Sequence, residues 1–303
     1  MIKLILIPDS DFHDEKDVYK IAALIKDKCT DIEPIVCHHK KLAWYRWFCL
    51  TSPVLFVSWR RLRRFKPIRG KLFHGQKLSK SEQYEILDKH DIPTLKWERV
   101  TPSTKLAIAE WGEHVVMKPE MGKAGHDVKV VRTKSVRCED GTPFGAGSVI
   151  QEMVYTGEEP ISYRCLTFFG SALFIVRNKN TRCGTKFDSK KSFGEIEGEH
   201  NIVASVRDSL TTLDKDLEIV KFSEYVAKRA FPDIPMLGFD IARCQHTQKL
   251  YMLEANPFGL TWHFSSRVGL GIQADNNFCY ETQFNAFDIA ADRLIEVARE
   301  RAV

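Results

Sequence analysis

The chain has 303 residues, of which 44% are apolar and 28% are charged. This composition is typical of soluble globular proteins and argues against extensive disorder and against a membrane-embedded body. The length allows about two domains of average size with a cleft between them. No two of the eight cysteines have C-x-x-C spacing, which argues against a zinc knuckle or a disulfide framework. We therefore expect reduced thiols and a cytoplasmic protein.

The net charge of +5 comes from one short segment. Residues 60–71, called the basic segment below, contain seven cations and no acid, which leaves 38 basic and 40 acidic residues elsewhere. Aromatic residues near it in sequence would allow bases to stack beside phosphate contacts: Trp44, Tyr45, Trp47 and Trp59. Nucleic-acid binders usually spread positive charge over a whole surface. The sequence therefore favours an anion-binding rim or a solvated face over nucleic acid.

The first 75 residues have the pattern of a small parallel α/β unit. Apolar runs at Ile2–Ile7 and Pro53–Trp59 predict buried strands, and a shorter run at Pro34–Cys37 predicts a third. Apolar residues at helical spacing predict a helix over Val18–Ile25. Alternation of strands and helices favours a parallel sheet.

The remainder is predicted to hold a capped helix, several hairpins and a terminal helix. After the candidate N-cap Ser79, the spacing predicts a helix over Lys80–Lys89 that ends before Pro93. Residues 178–201 are polar and contain glycines, which indicates a mobile loop. Apolar residues recur at helical spacing from residue 284 to residue 298, which predicts a packed terminal helix.

The first hairpin, residues 114–131, has features of a phosphate-binding loop. Lys118 ends one strand, and a loop containing Gly122 and Gly125 leads to the next. Glycines allow backbone N–H groups to approach a phosphate, and a lysine supplies a point charge. An ordinary flexible hairpin fits this pattern about equally well. The chain contains no G-x-x-x-x-G-K-[ST] motif, so a P-loop is excluded.

The second hairpin is predicted to turn at Gly170-Ser171, a glycine-first pair typical of a type II′ turn. That turn places Arg164 directly opposite Arg177. Two opposed guanidinium groups are destabilising unless an anion lies between them. The sequence therefore predicts a sheet that receives phosphate or carboxylate, unless a one-residue slip or neighbouring carboxylates relieve the pair.

The third hairpin brings carboxylates together. If its polar turn is centred on Thr247, Asp240 lies opposite Glu254, with Asn256 on the same face as Glu254. Opposed carboxylates need a cation, and acidic residues are depleted in strands. Three oxygen donors on one face suit Mg²⁺. Relief by lysine or water is the alternative.

The order and spacing of these motifs resemble the ATP-grasp superfamily from about Lys80 to Asn256. The resemblance implies an α/β ATP-grasp fold with α+β subdomains and a short N-terminal parallel α/β domain. The implied boundaries are residues 1–76 for the N-terminal domain, 77–150 for the nucleotide-binding subdomain, and 151–303 for the C-terminal subdomain with the magnesium and substrate site. ATP would be clamped between the last two.

Within this resemblance, ATP phosphates and Mg²⁺ have assigned positions. Lys80 and Lys118 match the lysines that reach phosphate oxygens, and Gly122 and Gly125 match the loop that covers them. The superfamily's magnesium ligands match Asp240, Glu254 and Asn256.

The segment VIQEMV matches the superfamily's adenine-binding hinge. Glu152 would accept a hydrogen bond from the adenine amino group, and the backbone of Met153 and Val154 would read the ring edge. The ribose hydroxyls would be held by Glu158 or Glu159.

The resemblance implies a ligase that joins a carboxylate to an amine, as in glutathione synthetase, D-alanine ligase and peptide glutamate ligases. ATP would convert the carboxylate to an acyl phosphate, and ADP and phosphate would be released. The two substrate-side arginines match Arg164 and Arg177, of which Arg177 would hold the acyl phosphate and the tetrahedral oxyanion. The short N-terminal unit and the segment PFGLTWHFSSR after Asn256 depart from these ligases and leave the substrates open. We expect anionic small-molecule or peptide substrates.

Two other functions remain open at this point. One is an ATP-binding nucleic-acid or regulatory module that uses the basic segment. The other is an ATP-grasp kinase that stops at phosphoryl transfer. His263 is a further candidate, as the base that deprotonates the amine, but its position between Trp262 and Phe264 favours a packed histidine.

Overall fold

The computed structural model describes residues 1–42, 45, 52–122, 128–136, 138–139, 142–143, 147–180, 209–257 and 261–303. These residues form three sheets of four or five strands and one two-stranded ribbon. Parallel and antiparallel sheets occur together with helices, so the predicted α/β class is confirmed.

The N-terminal sheet contains β1 (Ile2–Ile7), β2 (Ile32–Val36), β3 (Val54–Ser58) and β4 (Lys71–His74), with helix α1 (Lys16–Lys28) after β1. Its strands are parallel in the order β2-β1-β3-β4, as the alternating pattern predicts. The central strands are apolar from Leu4 to Ile7 and from Val54 to Val57 because both faces are covered there. Leu4 and Leu6 pack with α1, whereas Ile5 and Ile7 belong to a second cluster with Phe56.

The second part of the chain contains helix α2 (Lys80–Lys89), the short helix α3 (Ile108–Trp111) and six strands: β5 (Trp97–Arg99), β6 (His114–Pro119), β7 (Lys129–Arg132), β8 (Cys138–Glu139), β9 (Thr142–Pro143) and β10 (Ser148–Glu152). Four of them form an antiparallel sheet in the order β5-β10-β6-β7. The bounds of α2 are as predicted. Ser79 and Glu82 form a reciprocal capping box at its start, which satisfies two backbone N–H groups.

The third part contains five strands: β11 (Ile161–Phe168), β12 (Ser171–Asn180), β13 (Ser209–Leu213), β14 (Met236–Arg243) and β15 (Leu250–Asn256). Helix α4 (Leu217–Ala230) lies between β13 and β14, and three helices follow β15: α5 (Arg267–Asn276), α6 (Tyr280–Phe284) and α7 (Ala286–Arg301). The sheet is antiparallel in the order β13-β12-β11-β14-β15. Helix α4 packs on the face that carries Ile175, and α7 packs on the face that carries Phe174. The terminal helix is therefore confirmed as a core element.

The turn between β11 and β12 differs from the prediction. Phe169 and Gly170 are its central residues, and both have positive φ, 44° and 78°, as in a type I′ turn. The turn thus lies one residue earlier than the predicted Gly170-Ser171 pair, and a bulge between Leu166 and Thr167 shifts the register again. A one-residue change of register moves side chains to the other face of a sheet, which changes the partner of Arg164.

Some predictions fall outside the described residues. These are Gly125, Trp44, Trp47 and most of the predicted loop 178–201, of which residues 178–180 lie in β12. Among the helices that the structure describes, none is long and apolar enough to cross a membrane. Five described cysteines are free thiols, as expected from their spacing: Cys29, Cys37, Cys165, Cys244 and Cys279.

Candidate active site

One face of the third sheet carries the predicted metal-binding residues. Asp240 lies directly opposite Glu254 across β14 and β15, as predicted, although the pairs nearer the turn, such as Arg243 with Leu250, are shifted by one residue from a turn centred on Thr247. Asn256 lies two positions after Glu254, opposite Gly238, and its Nδ2 donates to Asp240 Oδ2 at 3.2 Å. A bulge after Asp240 keeps Met252 on the apolar face while Glu254 remains on the polar one. Sheet pairing therefore brings the three oxygen-bearing side chains together.

Arg164 pairs with Asp240 rather than with Arg177. Its Nε and Nη2 donate to the two carboxylate oxygens of Asp240, both at 2.8 Å, and this carboxylate raises the pKa of the guanidinium. The prediction that Arg164 faces Arg177 is wrong: Val176 lies opposite Arg164, and Arg177 lies opposite Tyr163 on the other face of the sheet. The carboxylate that neutralises Arg164 therefore comes from the neighbouring strand β14 of the protein itself.

Helix α2 supplies a second cation to this face. Lys80 Nζ lies 3.0 Å from Glu254 Oε1, and the lysine side chain is only 5% exposed. The helix is held on β15 because Gln83 Oε1 accepts from the backbone N–H of Ala255 at 2.9 Å and the Tyr84 hydroxyl donates to the carbonyl of Leu253 at 2.7 Å. These contacts fix where Lys80 meets the carboxylate.

Lys118 is a buried ammonium with incomplete neutralisation. Its Nζ donates to Gln151 Oε1 at 2.5 Å and to the Tyr84 hydroxyl at 3.2 Å, and it forms no ion pair within the described residues. Burial lowers its pKa to about 8, opposed in part by Glu254. The amide nitrogen of Gln151 is buried and has no hydrogen-bond partner in the part of the chain that the structure describes. The ammonium also donates to the carbonyl of Leu253 at 3.4 Å, so its three N–H groups have neutral acceptors while its charge has no carboxylate partner among the described residues. The amide nitrogen of Gln151 is a donor left for an anionic ligand, since buried polar groups normally have partners.

The predicted hinge connects the second and third sheets. Glu152 ends β10, and its N–H donates to the carbonyl of Lys96 at 2.7 Å. Met153 and Val154 follow, partly exposed, and Glu159 forms an ion pair with Lys179. The connection is fixed further along by the N–H of Gln245, which donates to the carbonyl of Tyr155. No contact with a nucleotide tests these residues here, so their adenine and ribose roles stay predictions.

The loop after β6 begins against α2. The side chain of Glu120 accepts from the N–H and hydroxyl of Ser81, at 3.1 and 3.0 Å, and its carbonyl accepts from the N–H of Lys80. Gly122 follows, with its N–H on the carbonyl of Pro119. The start of the predicted phosphate-covering loop is therefore attached to the helix that carries Lys80.

The segment after Asn256 joins this site to the N-terminal sheet. Pro257 accepts at its carbonyl from the N–H of Gln76 at 2.8 Å, and the Trp262 indole donates to Asp17 at 2.8 Å. His263 is buried beside Ser266, and burial together with the positive charge of Arg164 lowers its pKa to about 3. This packing favours the structural interpretation of His263 over that of a general base.

Sequence reasoning missed a group of buried polar atoms at the carboxyl ends of β1 and β3. Four atoms there are buried without a hydrogen-bond partner among the described residues: Asp9 Oδ1, both ring nitrogens of His13 and the indole nitrogen of Trp59. Burial raises the pKa of Asp9 and lowers that of His13 to about 4. The predicted carboxyl ends of parallel strands could have indicated such a polar edge. Asp9 and His13, however, are part of no recognisable sequence motif.

The donor chemistry of the polar face fits Mg²⁺. Two carboxylates and an amide oxygen are the hard oxygen ligands that this cation prefers. The described residues contain no group of three or more His, Cys, Asp or Glu placed to hold a metal, so the set depends on Asn256. Asp240 and Glu254 already accept from Arg164 and Lys80. A cation bound there would share or exchange these partners.

No protein-family model matches the chain, and no curated protein matches it. Solved structures do. The ATP-grasp ligase PsnB, in complex with a phosphomimetic variant of a minimal precursor, Mg and ADP, superposes with a TM-score of 0.56 at 12% identity, covering 96% of this chain and 97% of PsnB. The chain therefore has the ATP-grasp fold that the order of its motifs predicts.

Two further structures are similar over most of their length. D-alanine–D-alanine ligase from Bacillus anthracis has a TM-score of 0.48 at 15% identity, and the match covers 99% of this chain and 98% of that ligase. D-cycloserine synthetase DcsG has a TM-score of 0.45 at 16% identity, and the match covers 91% of this chain and 99% of DcsG.

Proposed function

We propose that the protein is an ATP- and Mg²⁺-dependent ligase that joins a carboxylate to an amine and releases ADP and phosphate. The fold supports this proposal, because PsnB, which has the same fold, is an ATP-grasp ligase solved with Mg, ADP and a precursor variant. We place the nucleotide between the second and third sheets, in subdomains 77–150 and 151–303, with residues 1–76 beside the substrate side.

The observation that carries the proposal is the convergence of three cations with three oxygen donors. Lys80 and Arg164 lie at 3.0 and 2.8 Å from Glu254 and Asp240. Lys118 lies nearby, buried and without a carboxylate partner among the described residues, next to the unpartnered amide of Gln151. A buried cation of this kind is stabilised by an anion. The triphosphate of ATP supplies several negative oxygens of the required kind.

The chemistry then follows from positions and charges. A carboxylate is a poor acylating agent, so the γ-phosphoryl group of ATP is transferred to it: the bond to the β-phosphate breaks, and an acyl phosphate forms. The amine attacks the acyl carbon and expels phosphate. Magnesium held by Asp240, Glu254 and Asn256 would neutralise phosphate charge during the transfer. The protein needs no nucleophilic side chain for either step.

We assign stabilisation of the developing oxyanion to Arg164. Two of its N–H groups donate to Asp240, and a guanidinium has five, so three remain to bind the acyl phosphate. Asp240 orients this group. Arg177 was the first candidate from the sequence, but its register on the opposite face makes Arg164 the stronger one.

Nucleotide recognition uses the connection after β10 in this proposal. Glu152 and the backbone of Met153 and Val154 bind adenine, and Glu158 or Glu159 binds the ribose. Phosphates are held by Lys80 and Lys118 and covered by the loop that begins at Gly122.

The direct test is incubation with ATP, Mg²⁺ and pooled amino acids, organic acids and short peptides, followed by mass spectrometry. We expect ADP, free phosphate and a condensation product that depend on both substrates. A phosphorylated product without free phosphate would instead identify a kinase. Binding of ATP that is unchanged by Mg²⁺ and by Glu254→Gln would contradict the proposed site, whatever the substrates are.

A further inference from the structure

We propose that a pocket in the N-terminal unit binds a negatively charged group attached to an apolar body, and that this group belongs to the acceptor substrate. The link to the acceptor rests on the function proposed above, whereas binding to the pocket does not. The pocket, called the basic pocket below, has a volume of about 460 Å³ and is lined by Arg61, Leu62, Arg63, Phe65, Lys66, Pro67, Leu72 and His74.

Among the described residues, no acidic group balances the charge of this pocket. Its lining contains three permanent cations and a histidine but no acid. Within the described residues, Arg61, Arg63 and Lys66 form no ion pair. The segment does form ion pairs at its two ends, where Arg60 meets Asp9 and Asp11 and Lys71 meets Asp233. Clustered like charges repel one another, so an anion in the pocket is stabilised.

The floor of the pocket is apolar and fixed to the sheet. Leu62, Phe65 and Leu72 pack against the core cluster of β1 and β3, and the ring of Phe65 lies 5.3 Å from that of Phe56, edge to face. Gly70 has φ of 88°, and a Cβ there would lie 2.5 Å from the side chain of Val54. The close approach fixes the point at which the basic segment rejoins β4. A ligand therefore meets a cationic rim and an apolar base, which suits an anion joined to an apolar body.

The basic pocket is connected to the candidate active site through the residues that follow β4. His74, which lines it, precedes Gln76 by two residues, and Gln76 is hydrogen-bonded to Pro257, which follows Asn256. Two residues span at most about 7 Å, and the hydrogen bond together with the step from Pro257 to Asn256 adds about 10 Å, so the His74 edge of the pocket lies within roughly 17 Å of the backbone of Asn256. An extended peptide of about six residues covers that distance at ~3.3 Å per residue. One end of an elongated acceptor can thus occupy the pocket while the other end reaches Arg164.

The geometry fits a small anionic group better than a nucleic acid. The cations are confined to twelve residues, and the rest of the chain has more acidic than basic residues. Nucleic acid needs phosphate contacts along an extended surface. A pocket of this volume holds one or two side chains or a small metabolite.

The test measures direct binding by fluorescence anisotropy at 0.15 M salt. The probes are a labelled hexapeptide with four glutamates, one leucine and one phenylalanine, its glutamine counterpart, and a phosphoserine counterpart of the glutamate peptide. We expect the glutamate or the phosphoserine peptide to bind and the glutamine peptide to bind at least tenfold more weakly. The preferred anion distinguishes a carboxylate ligand from a phosphate ligand. Equal binding of all three peptides, or binding of none, would overturn the proposal.

The chain offers a matched control for charge. Arg61→Glu/Arg63→Glu changes two lining cations, whereas Arg64→Glu/Arg69→Glu makes the same change in the same segment outside the lining. We expect the first variant to weaken peptide binding at least tenfold and the second at most threefold, because exposed charges are screened over ~8 Å. Equal losses would show a general charge effect instead of a pocket.

Two further measurements distinguish this proposal from the proposed ligase function and from nucleic-acid binding. Glu254→Gln should bind the peptide like the wild type while its turnover is lost. Normal turnover in this variant together with intact peptide binding would contradict the proposed magnesium site and leave the pocket standing. A labelled single-stranded DNA of twelve nucleotides should bind more weakly than the acidic peptide. Tighter binding of the DNA would overturn the choice of ligand.

Discussion

The candidate active site and the basic pocket both gather cations, but they balance them differently. In the active site, Lys80 and Arg164 are paired with carboxylates at 3.0 and 2.8 Å. In the basic pocket, Arg61, Arg63 and Lys66 have no ion pair within the described residues and are partly or fully exposed. A buried cation is costly without a partner, while an exposed one is solvated. The active site is therefore assembled before its ligands arrive, and the pocket attracts ligands by uncompensated charge.

This difference predicts different consequences of mutation. Removing a charge from the candidate active site leaves its partner uncompensated and removes a group that we propose to contact the reacting atoms. Removing one from the basic pocket changes the affinity for an anion and leaves the chemical step intact. The four predictions below use this contrast, in order of decreasing effect.

The largest effect is expected for Glu254→Gln, which removes a proposed magnesium ligand and the partner of Lys80. ADP formation should fall below detection, while the fold is retained because Glu254 is partly exposed, at 26%. The measurement is ADP release with the substrates found by mass spectrometry, alongside circular dichroism. Glu85→Gln, a surface change whose partner is Arg99, is the control and should keep wild-type turnover. Normal turnover in Glu254→Gln would remove Glu254 from the proposed site.

The next effect separates the two arginines. Arg164→Ala should lower kcat by about 10²–10³, the usual loss for a donor to a developing oxyanion, with less effect on the affinity for ATP. Arg177→Ala should lose less than tenfold because Arg177 lies on the opposite face. The readout is kcat and KM for ATP in both variants. A larger loss of kcat in Arg177→Ala would show that the register argument places the wrong arginine at the chemistry.

The second and third hairpins show where prediction from sequence fails and where it succeeds. In the third hairpin the predicted pair of Asp240 with Glu254 is observed, although the register near the turn differs by one residue and a bulge after Asp240 compensates for it. In the second hairpin the predicted pair is wrong, because Phe169 adopts a positive φ of 44°. Aromatic residues seldom do so, and the sequence signal at Gly170-Ser171 pointed to the next pair.

Contacts between distant segments were beyond any local pattern. The pairs Arg164–Asp240 and Lys80–Glu254 join residues 76 and 174 positions apart. Their existence depends on β11 lying beside β14 and on α2 lying against β15. Motif order predicted the ATP-grasp fold, whereas the site residues that it assigns stay predictions. It did not predict which charges of the site neutralise each other.

A smaller effect concerns the pH dependence of nucleotide affinity. Burial lowers the pKa of Lys118 to about 8, so its ammonium is lost as the pH rises through that value. The Kd for a non-hydrolysable ATP analogue should therefore increase above pH 8, by up to about tenfold per pH unit. Lys118→Met should bind weakly at every pH and show no inflection near 8. A flat wild-type profile between pH 7 and 9.5, or an inflection that persists in Lys118→Met, would contradict the role of Lys118.

The smallest effect is on stability, at the buried edge between the two cation clusters. Burial lowers the pKa of His13 to about 4, against about 6.5 for an unfolded histidine. Between these values the unfolded chain binds the proton more readily, so stability is full above pH 6.5 and falls as the pH decreases toward 4. The slope is at most about 1.4 kcal/mol per pH unit for one group. Urea unfolding at pH 7, 6 and 5 measures this slope.

His13→Gln should flatten this slope, whereas His246→Gln, at an exposed position, should not. His263, whose pKa is lowered to about 3, acts in the same direction and leaves a residual slope in His13→Gln. Asp9 and Asp17, whose pKa values are raised by burial, act in the opposite direction at lower pH, where the unfolded chain loses its carboxyl protons first. Because these three groups act equally in the wild type and in His13→Gln, the difference between the two slopes isolates the contribution of His13. Parallel unfolding curves would mean that His13 is solvated in the folded protein, and that the edge near the basic pocket is wetter than its burial indicates.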